Sequence, residues 1–209
     1  MKEGIIMTAG IVIIIVVVIL AIIIAALYNG MVKARNLTDE AESQIGVQLK
    51  RRADLIPNLV NTVKGYAKHE HDTLMDAIQA RGVANGQSQA DPLSDLQKQA
   101  DVMGDDRQPI AKRAQADSQA TQVLGHLFAV SENYPNLKAA QNFSQLQEEL
   151  TTTENRVAAS RTNYNRTIRD YNNKIEVFPT NIFAGMFHFT KKEQLPIEES
   201  TKTAPEVKF

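Results

Sequence analysis

The sequence predicts an all-α protein: a single amino-terminal transmembrane helix, then an up-and-down antiparallel bundle of long helices. Three observations carry this reading. Residues 5–27 are almost wholly aliphatic. From Tyr28 onward apolar residues recur at intervals of three and four, the period of one helix face. Only ten glycines and seven prolines punctuate 209 residues, which leaves few turns for an architecture of short strands.

The first element is Ile5–Leu27, with ten Ile, four Val and two Leu, and no charge falls between Glu3 and Lys33. As a helix it is about 34 Å long, which matches a hydrocarbon core of about 30 Å. Each Ile, Val or Leu near the centre favours insertion by roughly 0.3–0.6 kcal/mol, so these residues together favour it by roughly 5–10 kcal/mol. A cleaved signal peptide would carry a shorter apolar region, about 7–15 residues. A core helix would need a domain wrapped around every face, and a lipoprotein would need a cysteine, which the chain lacks. Lys33 and Arg35 follow the span, whereas only Lys2, Glu3 and the amino terminus precede it. That bias leans towards a cytoplasmic carboxyl-terminal domain in a bacterial inner membrane. Lys50, Arg51 and Arg52 stand about 35 Å beyond Leu27 on a straight helix, too far to weigh in this balance.

The same helix is expected to continue. Ile45, Leu49, Ile56, Leu59, Val60, Val63 and Ala67 form one stripe, with Arg52 and Ala53 in its gap. The stripe keeps phase through Pro57, which predicts a kink there and not a reversal. The break is expected at Gly82–Gly86. Asp91-Pro92 is a helix start, since Asp caps and Pro suits the first helical position. An interruption falls at Gly104, Asp105, Asp106 and Pro109, followed by a helix carrying Ala114, Thr121, Leu124, Leu127 and Phe128 to about Asn133. Tyr134-Pro135-Asn136 marks a tight reversal.

The last long helix, Leu137 to Val177, has the clearest pattern. Phe143, Leu146, Leu150, Thr153, Val157, Ser160, Tyr164, Ile168, Tyr171 and Ile175 form a seam. Tyr164-Asn165 and Ile168 return seven residues later as Tyr171-Asn172 and Ile175, a coiled-coil-like repeat. Arg156, Arg161, Arg166 and Arg169 are expected on a solvated, ion-paired surface with Glu154 and Asp170. Phe178-Pro179 ends the helix. An apolar stretch follows: Ile182, Phe183, Ala184, Gly185, Met186, Phe187 and Phe189. The expected organisation is a short flank (1–4), a span (5–27), a bundle (28–189) and a disordered polar tail (190–209).

Several blocks resemble the bacterial LemA family of membrane proteins: Tyr28-Asn29-Gly30, Gln48–Val60, Val63–Glu70, Tyr134–Ala139, Leu146–Asn165, Asp170-Tyr171-Asn172 and Phe178–Phe187. The departures are Met103–Gln108 and everything after Thr190. The resemblance implies a membrane helix carrying a helical bundle, and it implies no catalytic chemistry.

The residues themselves offer little chemistry. Without cysteine there is no thiolate and no disulfide. Lys plus Arg is 23 against 24 for Asp plus Glu, which excludes a strongly basic nucleic-acid binder. His69-Glu70-His71-Asp72 is the one dense ligand cluster, but its histidines point about 100° apart per residue and do not converge. The carboxylate pairs Asp105-Asp106, Glu148-Glu149 and Glu198-Glu199 lack a neighbour that would split their pKa values. Gly82 and Gly86 lack the Lys-Ser or Lys-Thr of a phosphate loop. No enzyme, cofactor or metal is therefore expected. Lys50-Arg51-Arg52 could hold an acidic partner or an anionic lipid, but a straight helix puts it far from the head groups, and it reads instead as a charged helix face paired with acids of a neighbouring helix.

Four of the seven phenylalanines lie between 178 and 189. They either cap the open end of the bundle or dock a subunit, a partner or a lipid surface. The candidate contact residues are Phe178, Pro179, Ile182, Phe183, Met186 and Phe187, with Tyr164 and Tyr171. Three passes, out, back and out again, would put Phe178 at the tip far from the membrane and Tyr134 near it. The expected function is a self-associating, membrane-anchored helical scaffold. The rivals are a sensory or regulatory adaptor for a protease, kinase or envelope-stress system, and a membrane-remodelling coat. The expected partners are membrane lipid, a second copy of the chain and an unidentified protein, with no nucleic acid.

Overall fold

The computed structural model describes residues 2–67 and 91–196. The expected break at Gly82–Gly86, the His69–Asp72 cluster and the end of the polar tail lie outside them. The described helices are α1 (Lys2–Ala67), α2 (Pro92–Gly104), α3 (Ile110–Ser131), α4 (Pro135–Ala139), α5 (Gln141–Glu176) and α6 (Thr180–Met186). No strand occurs among the described residues, so the protein is all-α as expected. The described residues divide into two compact units, one within 1–41 and 163–194, the other within 42–162 together with 195–196.

The 42–162 unit is a bundle of α2, α3 and segments of α1 and α5. The predicted stripe of α1 faces inward: Ile45, Leu49, Ile56, Leu59, Val60 and Val63 are all buried. Of these, Ile56, Leu59, Val60 and Val63 pack with Leu93, Leu96, Ala100 and Met103 of α2, a row from Ala116 to Val130 on α3, and Phe143 and Leu150 of α5. Proline in a helix interior costs about 3 kcal/mol or more, yet α1 passes Pro57 without ending. Each fully buried Leu, Ile or Val returns roughly 1.5–3 kcal/mol, and Ile56, Leu59, Val60 and Val63 flank the proline. The Asp91 carboxylate caps α2 by accepting the Leu93 N–H at 3.1 Å, with Pro92 at the first helical position.

Side-chain contacts give the direction of each pass. Arg113 Nη2 donates to the Gly46 carbonyl, and Arg52 pairs with Asp117, so α1 and α3 run parallel. Phe128 meets Phe143 at 6.1 Å while Arg161 reaches the Ala114 carbonyl, so α3 and α5 run antiparallel. The interruption at 105–109 is a full reversal, not a bend, because α2 returns along α3 across it. Gly46 permits the close approach of Arg113: a Cβ there would sit 3.3 Å from the guanidinium.

An ionic cluster crosses this core. Arg52 is 1 % exposed and donates to Asp117, to Thr121 Oγ1 at 2.9 Å and to Glu154 at 3.3 Å. Arg161 also pairs with Asp117, at 3.3 Å. This corrects the solvated place expected for Arg161, and it bears out the pairing of the Lys50-Arg51-Arg52 run with acids of neighbouring helices while burying Arg52. Arg161 is buried, whereas Arg156, Arg166 and Arg169 stay exposed. Of the Lys50-Arg51-Arg52 run only Lys50 and Arg51 are on the surface, Lys50 pairing with Asp106. The physical reason is that Asp117, brought in from α3, supplies the counter-charge that a buried guanidinium requires.

The 1–41/163–194 unit is built on α1, the end of α5, and α6. Its core is Met31, Tyr171, Ile175, Ala184 and Phe189, with Val32, Ala34 and Phe183 packed at the margin. The predicted seam residues Tyr164, Ile168, Tyr171 and Ile175 are all buried. α1 also carries one stretch long and apolar enough to cross a membrane. Ile11 through Leu20, Ile22 and Ile23 stand exposed along it.

Candidate functional site

The segment after α5 folds back onto α1 at the end of the apolar stretch. Pro179 precedes α6, and the helix ends at a residue of left-handed geometry, His188, with φ 59°. The Phe189 N–H reaches the Ala184 carbonyl at 2.9 Å and the His188 N–H reaches that of Gly185. This is the Schellman pattern that closes a helix end. It turns Phe189 inward, so that both Phe189 and Ala184 enter the unit's core.

The turn sets two rings against one. Phe187 meets Tyr28 edge-on with centroids 5.0 Å apart, and Phe189 meets the same ring at 5.9 Å. Such pairs contribute roughly 0.5–1.5 kcal/mol each beyond the area they bury. The Arg35 guanidinium lies over Phe189 at 5.1 Å. Tyr28 follows Leu27 directly, so the aromatic cluster sits where the apolar run ends. That corrects the three-pass expectation. The hairpin carrying α6 is beside the foot of the span, its Phe187 set against Tyr28.

The structure separates the sequence-predicted contact residues into two groups. Phe178, Ile182 and Met186 are 79 %, 58 % and 59 % exposed, and Pro179 and Phe187 are exposed as well. Phe183 is half-buried against the core. Tyr164 and Tyr171 face inward and are occupied within the chain. The Tyr171 hydroxyl donates to the Thr190 carbonyl at 2.9 Å, and burial pushes its phenol pKa up.

Residues outside the predicted set complete the site. Asn172 clamps the chain beyond it, donating to the Lys192 carbonyl and accepting the Lys192 N–H. Lys192 then pairs with Asp39 and donates to Thr38 Oγ1. Thr190 and Lys192, assigned to the polar tail, are thus tied down. Tyr28 was legible as an aromatic at the end of an apolar run, a position favoured at membrane interfaces. Nothing local in the sequence marks Thr38 or Asp39.

The bundle unit carries an open groove of about 790 Å³ lined by Lys50, Asp54, Asp101, Asp105, Asp106 and Arg107, among others. Several of its charges are engaged: Arg107 Nε donates to Asp105 and holds that carboxyl down at about 2, and Asp106 pairs with Arg113 and Lys50. Among the described residues no three His, Asp or Glu side chains converge as a metal site would need.

The LemA family pattern matches residues 41–209. The chain belongs to the LemA family. It is 30% identical over 173 residues to magnetosome protein MamQ 2 of Paramagnetospirillum magneticum, covering 79% of this chain and 63% of that one. It is 28% identical over 156 residues to protein LemA of Metamycoplasma hominis, covering 75% and 63%. MamQ of Magnetospirillum gryphiswaldense is 26% identical over 173 residues, covering 79% and 63%. This LemA-family chain therefore spans about 63% of the length of these relatives. The family and the apolar stretch of α1 together make it a membrane-associated helical protein.

Proposed function

We propose that this protein is a membrane-anchored helical scaffold that works by contact, including contact with further copies of itself, and not by turnover. The observation that carries the reading is where the chain leaves apolar side chains uncovered: along Ile11–Ile23 of α1 and on the hairpin around α6. Surfaces of that kind in soluble proteins mark interaction sites, and the first of them has the length and composition of a lipid-facing span. Ala21 and Ala25 offer a small-xxx-small pair for helix association in the bilayer, a modest one. Lys33 and Arg35 beyond the span favour a bundle on the cytoplasmic side of the bacterial cell membrane.

Mass measurement of the full chain in mild detergent tests self-association. The scaffold reading expects a dimer or larger species at micromolar concentration, and a strictly monomeric species overturns it. Co-purification of one stoichiometric foreign protein with a monomer would replace it with the adaptor reading.

A further inference from the structure

The hairpin bearing α6 has an exposed stripe that no contact within its own unit explains. Phe178, Ile182 and Met186 recur every fourth residue, and all three are more than half exposed. Ile182 and Met186, four apart, share one face of α6, and Phe178 lies in the turn just before that helix. Phe187 adjoins the stripe. From Val177 to Thr190 the chain carries no acidic residue, no Lys and no Arg. An uncovered apolar face of this kind, free of fixed charge, needs an occupant.

Its position names the occupant. Phe187 touches Tyr28, and Tyr28 is the first residue after the apolar run that ends at Leu27. A helix rises about 1.5 Å per residue, so Tyr28 lies at the edge of the hydrocarbon layer when Ile5–Leu27 crosses it. A ring 5.0 Å from Tyr28 then falls within the headgroup layer, which extends several ångströms beyond the core on each side. Cations stand where lipid phosphates would be. Lys33 is about 9 Å beyond Leu27 on α1, and the Lys174 side chain lies along Gly30, its Nζ 3.2 Å from where a Cβ would be. Both lysines are exposed. Apolar groups beneath, aromatics at the boundary and lysines above are the order found at a bilayer surface.

We propose that α6, with Phe178 and Phe187, is a second attachment to the same bilayer that α1 crosses. It lies in the headgroup layer, with Phe178, Ile182, Met186 and Phe187 against the acyl boundary. A second copy of the chain is the weaker occupant, because the stripe adjoins, through Tyr28, the exposed apolar run of α1 that has the length of a membrane span. The two attachments fix the rotation of the span about its own axis, which a lone helix leaves free. The inference rests on the membrane anchor and is independent of self-association.

The chain contains no tryptophan, so single tryptophans report depth against a dark background. Full-length variants Phe178→Trp and Ile182→Trp, both at exposed positions that leave the core intact, are reconstituted in vesicles of phosphatidylcholine and phosphatidylglycerol. The phosphatidylcholine is brominated near the glycerol end of its acyl chains. Val16→Trp in the span and Leu37→Trp, exposed about 15 Å beyond Leu27, are the references. The proposal expects emission at 178 and 182 to be lost as it is at 16, and retained at 37. Emission retained at 178 and 182 while 16 is quenched overturns the second attachment and leaves the anchor standing. Emission retained at 16 overturns both. Quenching at 178 and 182 that disappears when the protein is diluted to monomers assigns the stripe to a second copy, and also overturns the proposal.

Discussion

The carboxylate of Asp117 on α3 holds two buried guanidinium groups, Arg52 from α1 and Arg161 from α5. Three helices therefore depend on one acid. Removing one member of a buried pair costs about 3–5 kcal/mol, because a charge is left uncompensated. Asp117→Ala strands two. We expect it to lower stability by at least that much in denaturant titration of the detergent-solubilised chain. Replacing all three together, Arg52→Met, Asp117→Leu and Arg161→Leu, should restore stability to near the wild-type value, since well-packed apolar residues often match a buried ionic cluster. A triple variant as unstable as Asp117→Ala would contradict this account of the cluster.

His188 occupies left-handed backbone at the end of α6, where a residue with a Cβ bears a cost of about 1–2 kcal/mol. Glycine at that position removes the cost but adds freedom to the unfolded chain. His188→Gly should raise stability by about 0.5–1 kcal/mol, and His188→Val should lower it. Thermal unfolding of the two variants side by side checks the sign.

Tyr171 links the core of its unit to the chain that follows α6. Tyr171→Phe loses the bond to the Thr190 carbonyl and should cost about 1 kcal/mol. Burial raises the folded-state phenol pKa, so the unfolded chain deprotonates first. The stability tied to this group is present in full below the ordinary tyrosine value of about 10 and is lost as pH rises through the folded value. Denaturant midpoints on the alkaline side should fall less steeply in Tyr171→Phe than in the wild type.

Asp105 gives the opposite sign. The Arg107 side chain donates to it and holds its carboxyl at about 2, below the ordinary 3.8. The stability it contributes is present above the ordinary value and is lost as pH falls through the folded one. A carbon-detected NMR titration should find the Asp105 midpoint near 2, and Arg107→Ala should return it towards the ordinary value.

Much of the fold was legible because its signals are local. Ile45, Leu49, Ile56 and Leu59 repeat with helical period, and all are buried. The Tyr164/Tyr171 repeat marked the seam correctly, and Asp91-Pro92 marked the start of α2. What escaped depends on partners distant in sequence. Arg52 sat visibly in the gap of an apolar stripe, but its burial requires Asp117, 65 residues away. Arg161 looked like its neighbours Arg156 and Arg166 until α3 placed the same carboxylate beside it. The direction of α5 turned on whether 105–109 was a bend or a reversal, and the residue types there suit either. The contact of Phe187 with Tyr28 depends on a left-handed turn at His188, where glycine would have announced it.

The most direct test of contact at a membrane as this protein's mode of action is extraction of the full chain from its native membranes. The account predicts that it stays with the lipid through high salt and alkaline carbonate, and that deletion of residues 5–27 abolishes this resistance. Recovery of the intact chain, with those residues present, in the aqueous fraction would contradict it.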